Sequence, residues 1–194
     1  MQPDELLTAL HELRRSTDDD LRVRWDRSLS FGDAVFDRWE RAERLGFGRG
    51  ASIYDSALVY GDVEVGPDTW VGPNVLLDGS GGGLVIGAWC SISAGVQIYT
   101  HDTVARSLSL GACPTETGPV RIGDGCHLGA LSVVARGVSI GDRCVIGAQS
   151  FVNHDVPEGS VVAGAPARLL GRVVGEGADV AIVTGNRVEP LVAT

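Results

Sequence analysis

From Ile53 onward an aliphatic residue returns at every sixth position: Ile53, Val59, Val65, Val71 and Leu77. The beat then slips phase, resumes at Ile86, Ile92 and Ile98, breaks again, and runs on through Ile122, Leu128, Val134, Ile140, Ile146 and Val152. With 44% of the chain apolar, fourteen hits at this spacing have a chance probability on the order of 10⁻⁵. Free choice of register in each block raises that to on the order of 10⁻³. The repeat is a property of the fold.

Within IGDGCH, LGALSV, VARGVS, IGDRCV and IGAQSF, a large aliphatic is followed by glycine or alanine, then two tolerant positions, then a small residue. Each hexad reads as one short strand and one tight turn, the glycine bending the chain without a Cβ penalty and the small residue fitting a narrow section. Three hexads close a triangular coil, and coils stacked about 4.8 Å apart would set Ile122 against Ile140, Leu128 against Ile146 and Val134 against Val152. Hexapeptide periods mark parallel β-helices whose units are stable only when stacked. The expectation is an all-β solenoid; the period alone leaves its handedness open.

Two interruptions break the beat, and interruptions of a solenoid tend to carry function. Asp78 to Gly83, DGSGGG, inserts three extra residues between Leu77 and Ile86 and reads as a short flexible loop. The second, an extended loop over residues 101–119, opens at His101 and keeps the sixfold phase between Ile98 and Ile122. It therefore reads as an arm whose ends lie in register. Before the beat, residues 1–50 form an expected helical cap. Leu6, Leu7, Leu10 and Leu13 mark one face and Val35, Phe36, Trp39 and Ala42 another, with Leu45 and Gly46 as the stop. The solenoid domain is expected over 51–172, and 173–194 is a tail that either pairs as strands or stays disordered.

A formal charge of −9 and a pI near 4.8 argue against nucleic-acid or anionic-membrane partners, which require a basic face. The start, MQPDELLTALHELRR, lacks the apolar core of a signal peptide, and no stretch approaches the roughly 18 apolar residues of a membrane span. The expected compartment is the cytoplasm. Cys90, Cys126 and Cys144 each fall four residues after a repeat aliphatic, which makes them small buried residues; without a CxxC pair, no metal site is expected. A Cys126–Cys144 disulfide is sterically open but not implied in a reducing compartment.

Chemistry is best sought where a reactive side chain meets an interruption. His101 ends the coil segment VQIYTHD and opens the arm, and a free imidazole, titrating near pH ~6.5, can remove a proton at neutral pH. His11 reads as helix surface, His154 as a solvated coil edge, and His127 as a wall residue able to line a groove.

From about Ser52 to Arg172 the chain resembles the hexapeptide-repeat acyltransferases, a left-handed β-helix superfamily. QIYTHD, the hexads after Ile122 and the ending VVAGAPARLLG are similar to its maltose, galactoside and xenobiotic acetyltransferase branch. The resemblance implies a homotrimer, sites between subunits, acetyl-CoA as co-substrate and His101 as catalytic base. It implies cofactor contacts at His127, where many relatives carry tryptophan, and at Ala130, Ala148, Asn153 and Arg168, the last suited to phosphate. Asn74 and Asp78 resemble acceptor-side positions, and Tyr99 and Asp102, which with Thr100 flank His101, are expected to shape the acceptor pocket. Asp102, Glu116 or a backbone carbonyl is open as the group that orients His101. The implied reaction is direct acetyl transfer to a sugar-like hydroxyl, with N-acetylation of an amino sugar as the nearest alternative. An acyl-enzyme at Cys113, a zinc carbonic-anhydrase-like site built on His101, His127 and His154, and a non-catalytic scaffold are more distant readings.

Overall fold

The computed structural model describes residues 2–185 and 187–190. Between Ser52 and Ala163 the hexads form short strands that pair in parallel along three faces, and the chain visits these in rotation. The first face stacks Ser52–Ile53, Trp70–Val71, Ser91–Ile92, His127–Leu128, Val145–Ile146 and Ser160–Ala163. The second stacks the beginnings of Leu58–Val65 and Leu76–Ile86, then Gln97–Tyr99, Val133–Val134 and Phe151–Val152. The third takes the ends of the same two long strands, then Val120–Ile122, Ser139–Ile140 and the bridge residue Val156.

Ile122 lies beside Ile140, Leu128 beside Ile146 and Val134 beside Val152, as the repeat predicts. The inward column of the first face, Ile53, Val71, Ile92, Leu128 and Ile146, is completely buried. Each such side chain contributes roughly 1.5–3 kcal/mol through removal from water. Turns stack as closely as strands: a Cβ on Gly129 would lie 2.4 Å from the backbone nitrogen of Ala148 on the next coil. Cys90, Cys126 and Cys144 are buried free thiols, each Sγ donating to a carbonyl of the following turn, Gly123, Gly141 or Pro157, at 3.1 Å. Thr69 Oγ1 makes the same contact to Gly87 at 2.7 Å, so the thiols act as small buried donors.

Three expectations change. Asp78–Gly83 is not a flexible loop; it lies inside the continuous strand Leu76–Ile86, and its extra residues are absorbed by a register shift against Gly61 and Val63. The second helical face is broken into α2 (Phe31–Val35) and α3 (Arg38–Arg44), because Phe36 is extended and Asp37 caps α3 by accepting the Trp39 and Glu40 amides at 2.9 Å. The first helix, α1 (Pro3–Trp25), packs on α2, but Leu6, Leu7, Leu10 and Leu13 stay 40% to 53% exposed.

The end of the coil stack is covered by α3 instead. It buries Ala42 against the core, and Arg41 donates to the carbonyls of Tyr54 and, at 2.8 Å, Ala57. Helix α3 stops at Leu45, where Gly46 turns with φ +74°. At the other end Arg168–Val174, Ala181–Thr184 and Arg187–Pro190 add antiparallel strands to the first face; of the tail, residues 186 and 191–194 lie outside the described residues. No described helix is long and apolar enough to cross a membrane.

Candidate active site

The two interruptions meet at one point. Pairing of Leu76–Ile86 with Gln97–Tyr99 sets Asp78 beside Tyr99, and two residues later His101 brings its Nδ1 to 3.1 Å from Asp78 Oδ2. Asp78 is 4% exposed, and a buried carboxylate needs donors around it. Its Oδ1 accepts the Ser80 hydroxyl at 2.5 Å and the Ser80 amide at 2.9 Å, which leaves Oδ2 for the imidazole. Thr100, fully buried, ties the strands by donating from Oγ1 to the Asp78 carbonyl at 2.7 Å and accepting the Gly81 amide at 2.7 Å. A Cβ on Gly81 would stand 2.2 Å from the Thr100 carbonyl oxygen and 2.8 Å from His101 Cβ, so this approach requires glycine. The side chain of His101 is one-third exposed. With Nδ1 directed to the carboxylate, the imidazole has one polar atom, Nε2, left without a partner among the described residues.

Arm residues do not orient His101 directly. His101–Asp102 pairs with Glu116–Thr117 as a narrow antiparallel neck, and beyond it α4 (Val104–Leu108) forms the arm's outer part. Asp102 accepts from Arg136 Nε at 2.5 Å, and Glu116 accepts from the NH2 group of Arg136. The hydrogen bond from Arg136 holds the Asp102 carboxyl below its usual range, aided by the Val104 amide. Both acids considered as partners of His101 are therefore held by a guanidinium from the next coil, and the buried Asp78 takes the Nδ1 position.

The remaining candidate residues fall on separate edges. Ala130 and Ala148 share the corner between the first and second faces, where the Gln149 amide donates to the Ala130 carbonyl at 2.9 Å. Asn74 lies on that same corner with φ +56° and a backbone hydrogen bond to Ser56 Oγ. His101 stands on the corner between the second and third faces, and exposed Asn153 is on that corner two coils further on, beside His154. His127 is exposed on the first face between Ser91 and Val145, so the three histidines of the zinc reading do not share an edge. Arg168 is exposed at the end of the stack, its guanidinium on the Ala167 carbonyl at 2.8 Å. Tyr99 directs its hydroxyl to Gln97 Oε1 at 2.7 Å. Within one chain, the predicted cofactor positions Ala130 and Ala148 and the imidazole lie on different corners.

A cavity of about 310 Å³ lies away from His101, between the N-terminal helices and the first coil, lined by Leu21, Trp25, Phe36, Trp39 and Tyr54. The imidazole itself borders an open edge. Exposed apolar side chains lie along the stack, among them Trp89 at 72% and Leu131 at 57%. Trp70, on the first face, packs edge-on against Tyr54 with ring centroids 6.2 Å apart. Arg136, Ser80 and Gly81 were not singled out by sequence; an acid followed by a glycine-rich run at the phase slip was the available signal for the last two.

Coils stacked on hexads, with a buried carboxylate and a histidine at the root of an arm, define a recognisable class. Residues 119–154 match the family model described as "Bacterial transferase hexapeptide (six repeats)". A hexapeptide-repeat containing acetyltransferase from Vibrio cholerae is 30% identical with a TM-score of 0.63, the match covering 84% of this chain and 92% of that one. A structure of the Vibrio protein complexed with acetyl coenzyme A matches at 29% identity and a TM-score of 0.61, covering 83% and 87%. The chain belongs to the hexapeptide-repeat acetyltransferase family. Serine acetyltransferase of Mycobacterium tuberculosis is 31% identical over 148 residues, or 69% of this chain and 55% of the relative. Serine acetyltransferase 2 of Arabidopsis thaliana is 39% identical over 122 residues, 56% and 32%. The chain thus spans from about a third to about half of the length of these curated relatives.

Proposed function

We propose that the protein transfers an acetyl group from acetyl-CoA directly to a hydroxyl of a sugar or sugar-containing acceptor, with His101 as general base. The observation that carries this reading is the 3.1 Å contact between His101 Nδ1 and the buried carboxylate of Asp78. In this reading the carboxylate favours the tautomer with the proton on Nδ1 and a lone pair on Nε2. Nε2 takes the acceptor's hydroxyl proton as the oxygen bonds to the thioester carbonyl carbon. Collapse of the tetrahedral intermediate breaks the carbon–sulfur bond, and the CoA thiolate recovers the proton from the imidazolium. Asp78 stabilises that imidazolium throughout, so its role is orientation rather than contact with the acceptor.

The assembly in this reading is a homotrimer of left-handed β-helices. The separation of Ala130 and Ala148 from His101 supports a site shared by two subunits, one supplying the imidazole and the other the wall for the pantetheine arm, with Arg168 toward the phosphates. Exposed Trp89 and Leu131 support a wall covered by another copy. The domain division is a helical cap at 1–50, the transferase coils at 51–172 and a tail at 173–194, in a cytoplasmic protein. A second reading, with serine as the acceptor, is favoured by the serine acetyltransferase likeness.

The test is a free-thiol assay with acetyl-CoA against sugars, amino sugars and serine, with light scattering on the same sample. Thiol release dependent on a sugar, from a particle of three 20.3 kDa chains, supports the first reading. Release with serine alone moves the acceptor to the second, and no release with any acceptor removes the transferase reading for these classes.

A further inference from the structure

We infer that Arg136 is a positioning residue for the transfer: it clamps the neck of the arm and thereby holds His101 against Asp78. The inference rests on the transferase reading above for its kinetic consequence, and on geometry alone for the clamp.

Arg136 belongs to the ordinary hexad VARGVS and stands on the corner one coil beyond His101, where the repeat asks only for a tolerant residue. It spans the two strands of the neck: Nε reaches Asp102, next to His101 on the outgoing strand, and the NH2 group reaches Glu116 on the returning strand. Asp102 and Glu116 face each other in the pairing register. One planar guanidinium thus closes both strands together, a geometry that a point-charge ammonium cannot reproduce. Backbone contacts run parallel to it. The Gly137 amide donates to the Gly118 carbonyl at 3.2 Å, and the Gly118 amide donates to the Thr100 carbonyl at 2.8 Å. Thr100 is the residue whose hydroxyl ties Asp78 and Gly81 together.

A continuous set of contacts therefore runs from the wall through the neck to the imidazole. An arm without this clamp would keep the backbone pairing of its neck and the Gly118 hydrogen bonds at its root. Its carboxylates would have no salt-bridge partner among the described residues, and the strand that carries His101 would be held to Glu116–Thr117 by backbone pairing alone. The side chain of Arg136 is about one-third exposed, as is that of Asp102. An exposed pair contributes little to global stability; its effect is local.

The experiment compares the full-length wild type with Arg136→Met, which retains the aliphatic stem, and Arg136→Lys. Amide hydrogen exchange at residues 101–103 and 115–118 should quicken about tenfold or more in Arg136→Met, with an intermediate change in Arg136→Lys, while amides of Ile98 and Val134 are unchanged. With acetyl-CoA and whichever acceptor the panel identifies, kcat should fall about 10- to 100-fold in Arg136→Met while KM for acetyl-CoA stays within about twofold. Asp102→Asn combined with Arg136→Met should be no worse than the poorer single variant, since both break one device. Wild-type exchange at the neck, or an undiminished kcat in Arg136→Met, overturns the clamp. Absence of transfer in the wild type itself removes the function proposed above, and the exchange data still decide the clamp.

Discussion

The carboxylate of Asp78 and the imidazole of His101 come from the two breaks in a six-residue repeat and meet at 3.1 Å. The acid is buried and saturated on its other oxygen by Ser80, so its free lone pairs are directed at Nδ1. Asp78→Asn keeps the shape and removes the charge. It also allows an amide NH2 to face Nδ1, which favours the tautomer with its proton on Nε2. Turnover is expected to fall about 10²-fold or more with the unfolding midpoint little changed, read by steady-state kinetics beside a thermal melt.

Gly81 sets how closely the two strands approach. In Gly81→Ala the new methyl would lie 2.2 Å from the Thr100 carbonyl oxygen, which is backbone and cannot turn aside. The strand must move, carrying His101 with it. The expected cost is about 1–3 kcal/mol in denaturant unfolding, together with a loss of roughly 10²-fold in kcat if the imidazole shifts by about 1 Å.

The Arg136 clamp has a defined pH window. The guanidinium hydrogen bond lowers the folded-state carboxyl of Asp102, whereas an unfolded aspartate titrates near ~3.9. Its contribution is therefore complete above that pH and is lost as pH falls through the lower, folded value. Amide exchange of the neck, corrected for intrinsic rates, should keep the same protection from pH 8 to pH 5 and lose it only below about pH 4. Loss of neck protection between pH 7 and pH 5 would contradict this assignment.

The ladder was legible because burial repeats: Ile122, Leu128 and Val134 advance one coil at a time to Ile140, Ile146 and Val152. His101 stands out in the sequence as a titratable side chain at the end of a coil segment. Its pairing with Asp78 does not, because DGSGGG looks like a loop until the strand runs straight through it with a shift of register. Arg136 was hidden for a related reason, since a tolerant hexad position carries no signal until the neighbouring arm is placed. The leucines of α1 share the spacing of a packed face, but periodicity identifies an apolar stripe without naming what covers it.

The most direct measurement is acetyl transfer by His101→Ala, with acetyl-CoA binding followed on the same preparation. If His101 is the general base, kcat falls about 10²- to 10⁴-fold while acetyl-CoA affinity and the unfolding midpoint stay near those of the wild type. A His101→Ala protein that turns over at the wild-type rate would contradict the account at its centre.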